Sequence, residues 1–160
     1  MKLPKVQTKR QLLILNKLEE FFLTRKQEKK IIKAIQEAER NTSGEIRVHI
    51  EARPSANHLD AAVAVFHSLK MNETKDRNGV LFHVSPEDHN FTIIGDSGID
   101  AVTPPDFWDE IKKEVIKKFK KDKYAKGLTK GIKMAGKALQ EYFPYQDNDK
   151  NELPDEISWT

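Results

Sequence analysis

The sequence predicts an α/β fold in which helices pack on a central mixed β-sheet. Apolar residues recur at spacings of three and four in four segments, which indicates amphipathic helices. Three shorter segments alternate between apolar and polar residues or are rich in β-branched and aromatic residues, which indicates strands. A helix separates the first two strands and a short bend joins the second to the third. The first pair is therefore predicted to be parallel and the second pair antiparallel.

Length and composition limit the class of protein. A chain of 160 residues can form one domain with a substantial core, because about two thirds of the unfolded surface is buried at this size. The chain has no cysteine, which excludes disulfides, thiolate zinc sites and a cysteine nucleophile. The apolar stretch at residues 12–15 is too short for a signal peptide, and no stretch approaches the length of a membrane span. We therefore expect a cytoplasmic protein without a transmembrane segment.

The first half of the chain predicts two helices and one strand. Thr24 and Gln27 have the spacing of a capping box, and apolar residues at helical spacing follow, so a helix is predicted over residues 25–40. Strict alternation in "EIRVHIEA" predicts a half-buried strand over residues 45–52. Asn57 is placed to cap a second helix, whose apolar residues form one stripe.

The second half predicts a hairpin and two more helices. Residues 79–85 and 91–96 are predicted strands, joined by a polar bend that contains proline. Asp106 is placed to cap a helix, and residues 124–127 are predicted to connect it to the last helix, which Pro144 ends. The predicted core residues lie on the apolar faces of these elements: Ile46, Val48, Ile50, Val80, Phe82 and Val84 in strands, and Ile31, Ile35, Phe66, Val115 and Leu139 in helices.

Oxygen-bearing side chains gather at one edge of the predicted sheet. Parallel strands start at the same edge, and an antiparallel neighbour ends there. The second strand should lie between the other two, so the start of the first, the start of the second and the end of the third share this edge. The residues placed there are Glu45, Asp76, Asn78, Asp96 and Asp100. Hard divalent cations prefer such a mixture of carboxylate, amide and backbone oxygens.

Ordinary turn chemistry is the alternative for these residues. Asp and Asn are common in turns because their side chains hydrogen-bond nearby backbone groups. The sequence also lacks the spaced acidic loop of an EF-hand. From the residues alone, both the metal site and the turn interpretation stay open.

Three motifs resemble those of the TPM domain family. They are "TSGEIRVHI" (42–50), "NGVLFHVSPEDHNFTIIGDSGID" (78–100) and "YAKGLTKGIKMAGKAL" (124–139), and they are most similar to the short, soluble branch found in Bacteroidetes-type bacteria. The resemblance implies a three-layer αβα sandwich around the mixed sheet. It also implies an N-terminal extension (1–20), a TPM-like domain (21–143) and an acidic C-terminal tail (144–160). The residues of the tail have little apolar surface to bury, so we expect it to be extended or mobile, with docking of Leu153, Ile157 and Trp159 on the domain as the alternative.

The resemblance also implies a function. Glu45, Asp96 and Asp100 match family motif positions that hold calcium or magnesium, and Asp76 and Asn78 match less closely. The expected function is a noncatalytic domain that binds Ca²⁺ or Mg²⁺ and interacts with an unknown, membrane-associated protein partner. The alternative is a weak, metal-dependent acid phosphatase acting on phosphomonoesters.

Few residues support the phosphatase alternative. The sequence has no phosphate-binding P-loop, no cysteine nucleophile and no two-metal pattern of His and Asp. Asp96 could act as a nucleophile or hold a metal-bound water. A clear general base and a leaving-group acid are missing, so we expect no catalytic residues.

Two other features have both a structural and a functional interpretation. His49 and His83 fall on the second face of neighbouring strands and could hold zinc or copper, but no third ligand is evident, so ordinary hydrogen-bonded histidines are favoured. Eleven lysines lie between residues 112 and 137, near Phe107, Trp108 and Phe119. Helical spacing favours a solvated lysine face and core aromatics over a nucleic-acid surface, so no nucleic-acid partner is expected.

Overall fold

The elements follow one another in nearly the predicted order. The structure, a computed structural model, describes residues 22–53, 55–146 and 151–160, so the predicted N-terminal extension lies outside the described residues. In chain order the elements are α1 (Arg25–Glu39), β1 (Glu45–Ile50), α2 (His58–Ser68), a 3₁₀ turn (Met71–Glu73), β2 (Gly79–Ser85), β3 (Asn90–Gly95), α3 (Ser97–Asp100), α4 (Asp109–Phe119), α5 (Tyr124–Tyr142) and β4 (Ser158–Trp159). The predicted α/β class is confirmed.

The described strands form one open mixed sheet in the order β3-β2-β1-β4. β1 and β2 are parallel, with Glu45 opposite Gly79. β2 and β3 are antiparallel, with Val80 opposite Gly95. β2 therefore lies between β1 and β3, as predicted. This order places the starts of β1 and β2 and the end of β3 at one edge of the sheet.

Apolar residues cover both faces of the sheet. All eleven predicted core residues are buried. Most of them belong to a large cluster beneath α1, α4 and α5. On the other face Leu81 joins a smaller cluster with Phe66, Leu69, Met71 and Leu153. Because neighbouring residues in a strand point to opposite faces, the two clusters lie on opposite sides of the sheet, and the architecture has three layers.

The tail adds a strand that the sequence does not predict. β4 pairs parallel to β1, with Ser158 beside His49 and Trp159 beside Ile50. The pairing continues where the Thr160 N–H donates to the Ile50 carbonyl at 3.0 Å. Two residues are too few to show strand periodicity, so this element depends on its partner strand. The side chains of Leu153 and Trp159 are buried, so the described part of the tail docks on the domain, and the expectation of an extended or mobile tail is wrong for these residues.

Helix starts show where local patterns succeed and fail. The capping box of Thr24 and Gln27 forms, and Asn57 caps α2. The predicted Asp106 cap is wrong, because α4 begins at Asp109 after Trp108 and has no side-chain cap. The predicted connection at residues 124–127 is also wrong, because these residues form the first turn of α5. Tyr124 and Ala125 in this turn pack against the large cluster, so the apolar face of the helix begins before Leu128.

The aromatic residues near the lysines pack inward. Phe119 is buried in the large cluster, and Phe107 and Trp108 pack against it. A side-chain carbon at Gly95 would lie 3.1 Å from the Trp108 ring, so the glycine lets the indole approach the end of β3. Among the described helices, none combines the length and apolar character needed to cross a membrane.

Candidate metal centres

The edge where β1 begins carries the predicted ligand residues. Glu45 pairs with Gly79, and the Gly79 carbonyl accepts a hydrogen bond from the Asp96 N–H at 3.0 Å. Glu45 and Asp96 thus lie on either side of β2. Their backbones are two strand spacings apart, or about 10 Å. The topology places these residues at the edge expected from the sequence.

Two of the five predicted residues bury an oxygen atom that has no hydrogen-bond partner in the protein. Glu45 is 2% exposed; its Oε1 accepts from the Leu153 N–H at 2.8 Å, and its Oε2 has no partner. Asn78 is 1% exposed; its Nδ2 donates to Ser43 Oγ at 3.2 Å, and its Oδ1 has no partner. The Glu45 N–H donates to the Asn78 carbonyl at 3.3 Å, so the two residues adjoin.

Asp96, in contrast, has partners for both oxygens. Arg77 donates to Oδ2 through Nε at 2.8 Å and to Oδ1 through Nη2 at 2.9 Å. Oδ1 also accepts from the Ser97 N–H at 2.7 Å, so Asp96 caps α3. The side chains of Asp76 and Asp100 are exposed. The positive charge of Arg77 therefore offsets the negative charge of Asp96.

Gly98 brings the Asp76–Arg77 loop against α3. A side-chain carbon at Gly98 would lie 2.2 Å from the Asp76 carbonyl oxygen, a distance that no real contact allows. The Gly98 N–H instead donates to the Arg77 carbonyl at 2.9 Å. None of the five predicted residues belongs to a group of three acids or histidines with ligand atoms within 4.8 Å, among the residues that the structure describes. One coordination sphere that contains all five stays a prediction.

Two further carboxylates, which the sequence does not predict, join Glu45 at a cavity of about 220 Å³. They are Glu39, at the end of α1, and Asp155, in the tail. Glu39 Oε2 accepts from the Ile46 N–H at 3.1 Å. Glu39 lies only six positions before Glu45, the first residue of β1, so its closeness to Glu45 could have been predicted from the sequence. Asp155 was not, because its position depends on how the tail docks.

Burial and crowding raise the pKa values of these acids. The pKa of Glu39 rises to about 10, first because the side chain is buried and then because of its hydrogen bond to Asp155 and the charge of Asp155. The pKa of Glu45 rises to about 7, mainly through burial and also through the charges of Glu152 and Asp155, against backbone hydrogen bonds. Both acids therefore hold their protons more tightly than exposed glutamates do.

The opposite end of β1 brings together His49, Glu51 and His83. His49 and His83 are partners in the β1–β2 register, and their rings stack with centroids 5.7 Å apart. Glu51 Oε2 lies 3.4 Å from His49 Nε2 and 3.2 Å from His83 Nε2. The three residues offer ligand atoms that all lie within 4.8 Å of one another and could hold a metal ion. Sequence reasoning missed Glu51, although the period of two places it on the same face as His49.

The tail encloses the histidines. His49 Nδ1 lies 2.7 Å from Ser158 Oγ, and His49 Nε2 lies 2.7 Å from Thr160 Oγ1. Burial lowers the pKa of His49 despite the opposing effect of Glu51. Burial alone would raise the pKa of Glu51, but hydrogen bonds to His49 and His83 hold it well below its usual range. These shifts favour a neutral His49 ring beside an ionised Glu51 carboxylate.

Comparisons with known proteins agree with this fold. A family model described as the TPM domain matches residues 18–138. The chain is similar to the BA42 protein of the psychrophilic bacterium Bizionia argentinensis, solved by NMR, with a TM-score of 0.83 and 48% identity over 88% of this chain and 97% of that chain. Comparison with curated proteins gives no match.

A more distant structure has the same fold. The N-terminal domain of a protein from P. gingivalis, also solved by NMR, has a TM-score of 0.65 and 19% identity. The similarity covers 89% of this chain and 96% of that chain. At this identity the comparison bears on the fold alone. The Bizionia protein, at 48% identity, agrees with the bacterial branch that the motifs resemble.

Proposed function

The chain belongs to the TPM domain family, and from this premise we propose that it is a noncatalytic domain that binds Ca²⁺ or Mg²⁺ at the edge where β1 begins. Glu45 and Asn78 are the central ligands of the proposed site. Asp96, Asp100 and Asp76 are the further predicted ligands along the same edge. The family resemblance and the oxygen-bearing side chains at the edge both support this function.

The single observation that carries the proposal is the pair of unpartnered buried oxygens, Glu45 Oε2 and Asn78 Oδ1. A buried polar atom without a partner costs free energy, roughly 1–3 kcal/mol and more for a charged group. Carboxylate and amide oxygens are the ligands that hard divalent cations prefer. A cation that reached both atoms would remove this cost. The donor set therefore fits the proposed ion.

The neighbouring acids support the same ion. Glu39 and Asp155 share the cavity with Glu45 and add negative charge to it. The raised pKa values of Glu39 and Glu45 reflect burial together with this repulsion. A divalent cation would offset the repulsion, and its binding would release protons to solvent.

The proposed setting is the cytoplasm, with a membrane-associated protein as the partner. The family resemblance supports this part of the proposal. A cation at the edge would hold the tail, which carries Asp155, against β1. The proposed role of the ion is therefore to order the tail surface that a partner contacts.

Calcium titration followed by NMR tests the site. We expect amide shifts to concentrate at residues 44–46 and at Asn78, because these backbone groups adjoin the unpartnered oxygens. Glu45→Gln keeps an oxygen to accept from the Leu153 N–H but removes the charge, so it should abolish these shifts. Glu87→Gln, at an exposed acid in the β2–β3 bend, is the matched control and should leave them unchanged.

Two results would contradict the proposal. The first is a calcium response that is absent, or equal in the Glu45→Gln and Glu87→Gln variants. The second is metal-dependent hydrolysis of a phosphomonoester that Asp96→Asn abolishes, which would show a catalytic role. A response centred on Asp76 and Asp100 alone would move the site to the exposed part of the edge.

A further inference from the structure

We propose that His49, Glu51 and His83 form a second metal site, separate from the edge site, that binds a transition-metal ion of the zinc class. The residues lie at the carboxyl ends of β1 and β2 and on the face opposite the large core cluster. Imidazole nitrogens suit zinc, copper, iron and nickel, whereas calcium and magnesium prefer oxygen ligands. This site therefore goes beyond the proposed function in both position and chemistry.

The distances match the geometry of a tetrahedral ion. Nitrogen and oxygen ligands bind zinc at about 2.0–2.1 Å, so two ligands of a tetrahedral site lie about 3.3–3.4 Å apart. Glu51 Oε2 lies 3.4 Å from His49 Nε2 and 3.2 Å from His83 Nε2. The three atoms thus need little movement to share one ion.

Hydrogen bonds beyond the three ligands orient His49 for metal binding. Ser158 Oγ lies 2.7 Å from His49 Nδ1 and 3.4 Å from the Val48 carbonyl oxygen. When Nε2, the atom that faces Glu51, binds a metal ion, Nδ1 carries the ring proton and can donate it to Ser158 Oγ. Such a partner for the second ring nitrogen is typical of histidine ligands.

Two imidazole nitrogens compete for one carboxylate oxygen. His49 Nε2 lies 3.4 Å and His83 Nε2 lies 3.2 Å from the same atom, Glu51 Oε2. His49 Nε2 also lies 2.7 Å from Thr160 Oγ1. A metal ion between Glu51 Oε2 and the two Nε2 atoms would use all three as ligands.

Burial encloses the two histidines and leaves one side of the cluster open. His49 and His83 are 1% and 0% exposed, whereas the Glu51 side chain is 20% exposed, so the ion would enter past the carboxylate.

Titration of the tag-free, full-length protein with Co²⁺ and Zn²⁺ tests the proposal. We expect one Co²⁺ per chain, with the visible absorption bands of a tetrahedral nitrogen–oxygen site, and displacement of Co²⁺ by Zn²⁺. Glu51→Gln should weaken binding at least tenfold, and because Glu51 lies at the end of its strand, the variant should fold. His67→Gln, at an exposed histidine, is the matched control and should bind as the wild type does.

Ser158→Ala tests the orienting role of the hydroxyl. It removes no ligand, yet it should weaken Co²⁺ binding by about 10–100-fold, as losses of such partners do. Circular dichroism of each variant would show that the fold is retained. Co²⁺ binding that is unaffected by Ser158→Ala would contradict the proposed role of the Ser158 hydroxyl in orienting His49.

The two sites can be tested independently. Glu45→Gln should leave Co²⁺ binding unchanged, and Glu51→Gln should leave the calcium shifts at residues 44–46 unchanged. Millimolar Ca²⁺ should not displace Co²⁺. The proposal is overturned if the wild type shows no Co²⁺ absorption, or if Glu51→Gln and His67→Gln bind Co²⁺ equally well.

Discussion

The two ends of strand β1 hold buried carboxylates in opposite electrostatic states. At the start of the strand, Glu45 lies among other acids, and its pKa rises to about 7. Beyond the end of the strand, Glu51 lies between two histidines, and its pKa falls below the usual range. Both side chains belong to the same face by the period of two. The same residue type on one face thus acquires opposite properties.

The difference lies in the partners that the tail and β2 supply. Near Glu45 the tail contributes Asp155 and Glu152, which repel the carboxylate. Near Glu51, β2 contributes His83, and the tail contributes hydroxyls that hold His49. A buried carboxylate is stabilised as an anion only where donors or positive charges face it. The first environment accordingly favours the protonated acid, whereas the second keeps Glu51 ionised.

The largest expected effect on stability comes from truncating Trp159, through which the tail packs against the core. Trp159 is 5% exposed and belongs to the large core cluster. Trp159→Ala should lower the free energy of unfolding by about 3–5 kcal/mol, as aromatic truncations in cores do. Chemical denaturation measures the change. Tyr145→Ala, at an exposed aromatic, is the control and should cost far less. Equal losses would mean that the tail does not stabilise the domain.

The acids near the start of β1 should make the stability of the protein depend on pH. Glu45 binds its proton more tightly in the folded state, so stability falls as pH rises from about 4.5 to about 7. Glu39 extends the fall towards pH 10. Glu45→Gln should reduce the slope between pH 4.5 and 7 to the part that Glu39 contributes, and it should raise stability at pH 7 by on the order of 2 kcal/mol. Thermal melts of this variant and of Glu87→Gln across this range would show the difference, and identical slopes would contradict the prediction.

The contribution of Glu51 to stability should change with pH in the opposite direction. Its folded pKa is depressed, so its contribution is fully present above pH 4.5 and is lost as pH falls below that value. Glu51→Gln should therefore destabilise the metal-free protein at pH 7, by about 1–3 kcal/mol, because His83 loses a charged acceptor. The loss should shrink at pH 3. Denaturant midpoints at the two pH values test this, and a constant loss would argue against the depressed pKa.

Asp96→Asn should have the smallest effect on the metal-free protein. Its partner Arg77 is about half exposed, and such ion pairs contribute up to about 1 kcal/mol. Asparagine also caps helices well, so the bond to Ser97 can be kept. We expect a loss below about 1 kcal/mol, together with a reduced rise of the melting temperature on adding Ca²⁺. A calcium response equal to that of the wild type would remove Asp96 from the site.

The sequence alone determines the class of fold and most of the core. Alternation in β1 and the apolar runs of β2 and β3 predict these strands, because burial on a sheet face imposes a period of two. Crossover handedness and the short bend then place β2 between its neighbours. The Thr24 capping box and the Asn57 cap are local hydrogen bonds, which short motifs specify completely. These predictions succeed because their causes lie within a few residues.

Tertiary structure decides the sites. Asp96 has the sequence context of an edge ligand, but its pairing with Arg77 depends on how the loop at Gly98 folds back. Asp155 reaches Glu39, and Ser158 reaches His49, only because the tail returns to β1. The sequence separations are 116 and 109 residues by the numbering. No periodic signal covers such distances, and the pKa of a buried acid depends on all the charges that the fold gathers around it.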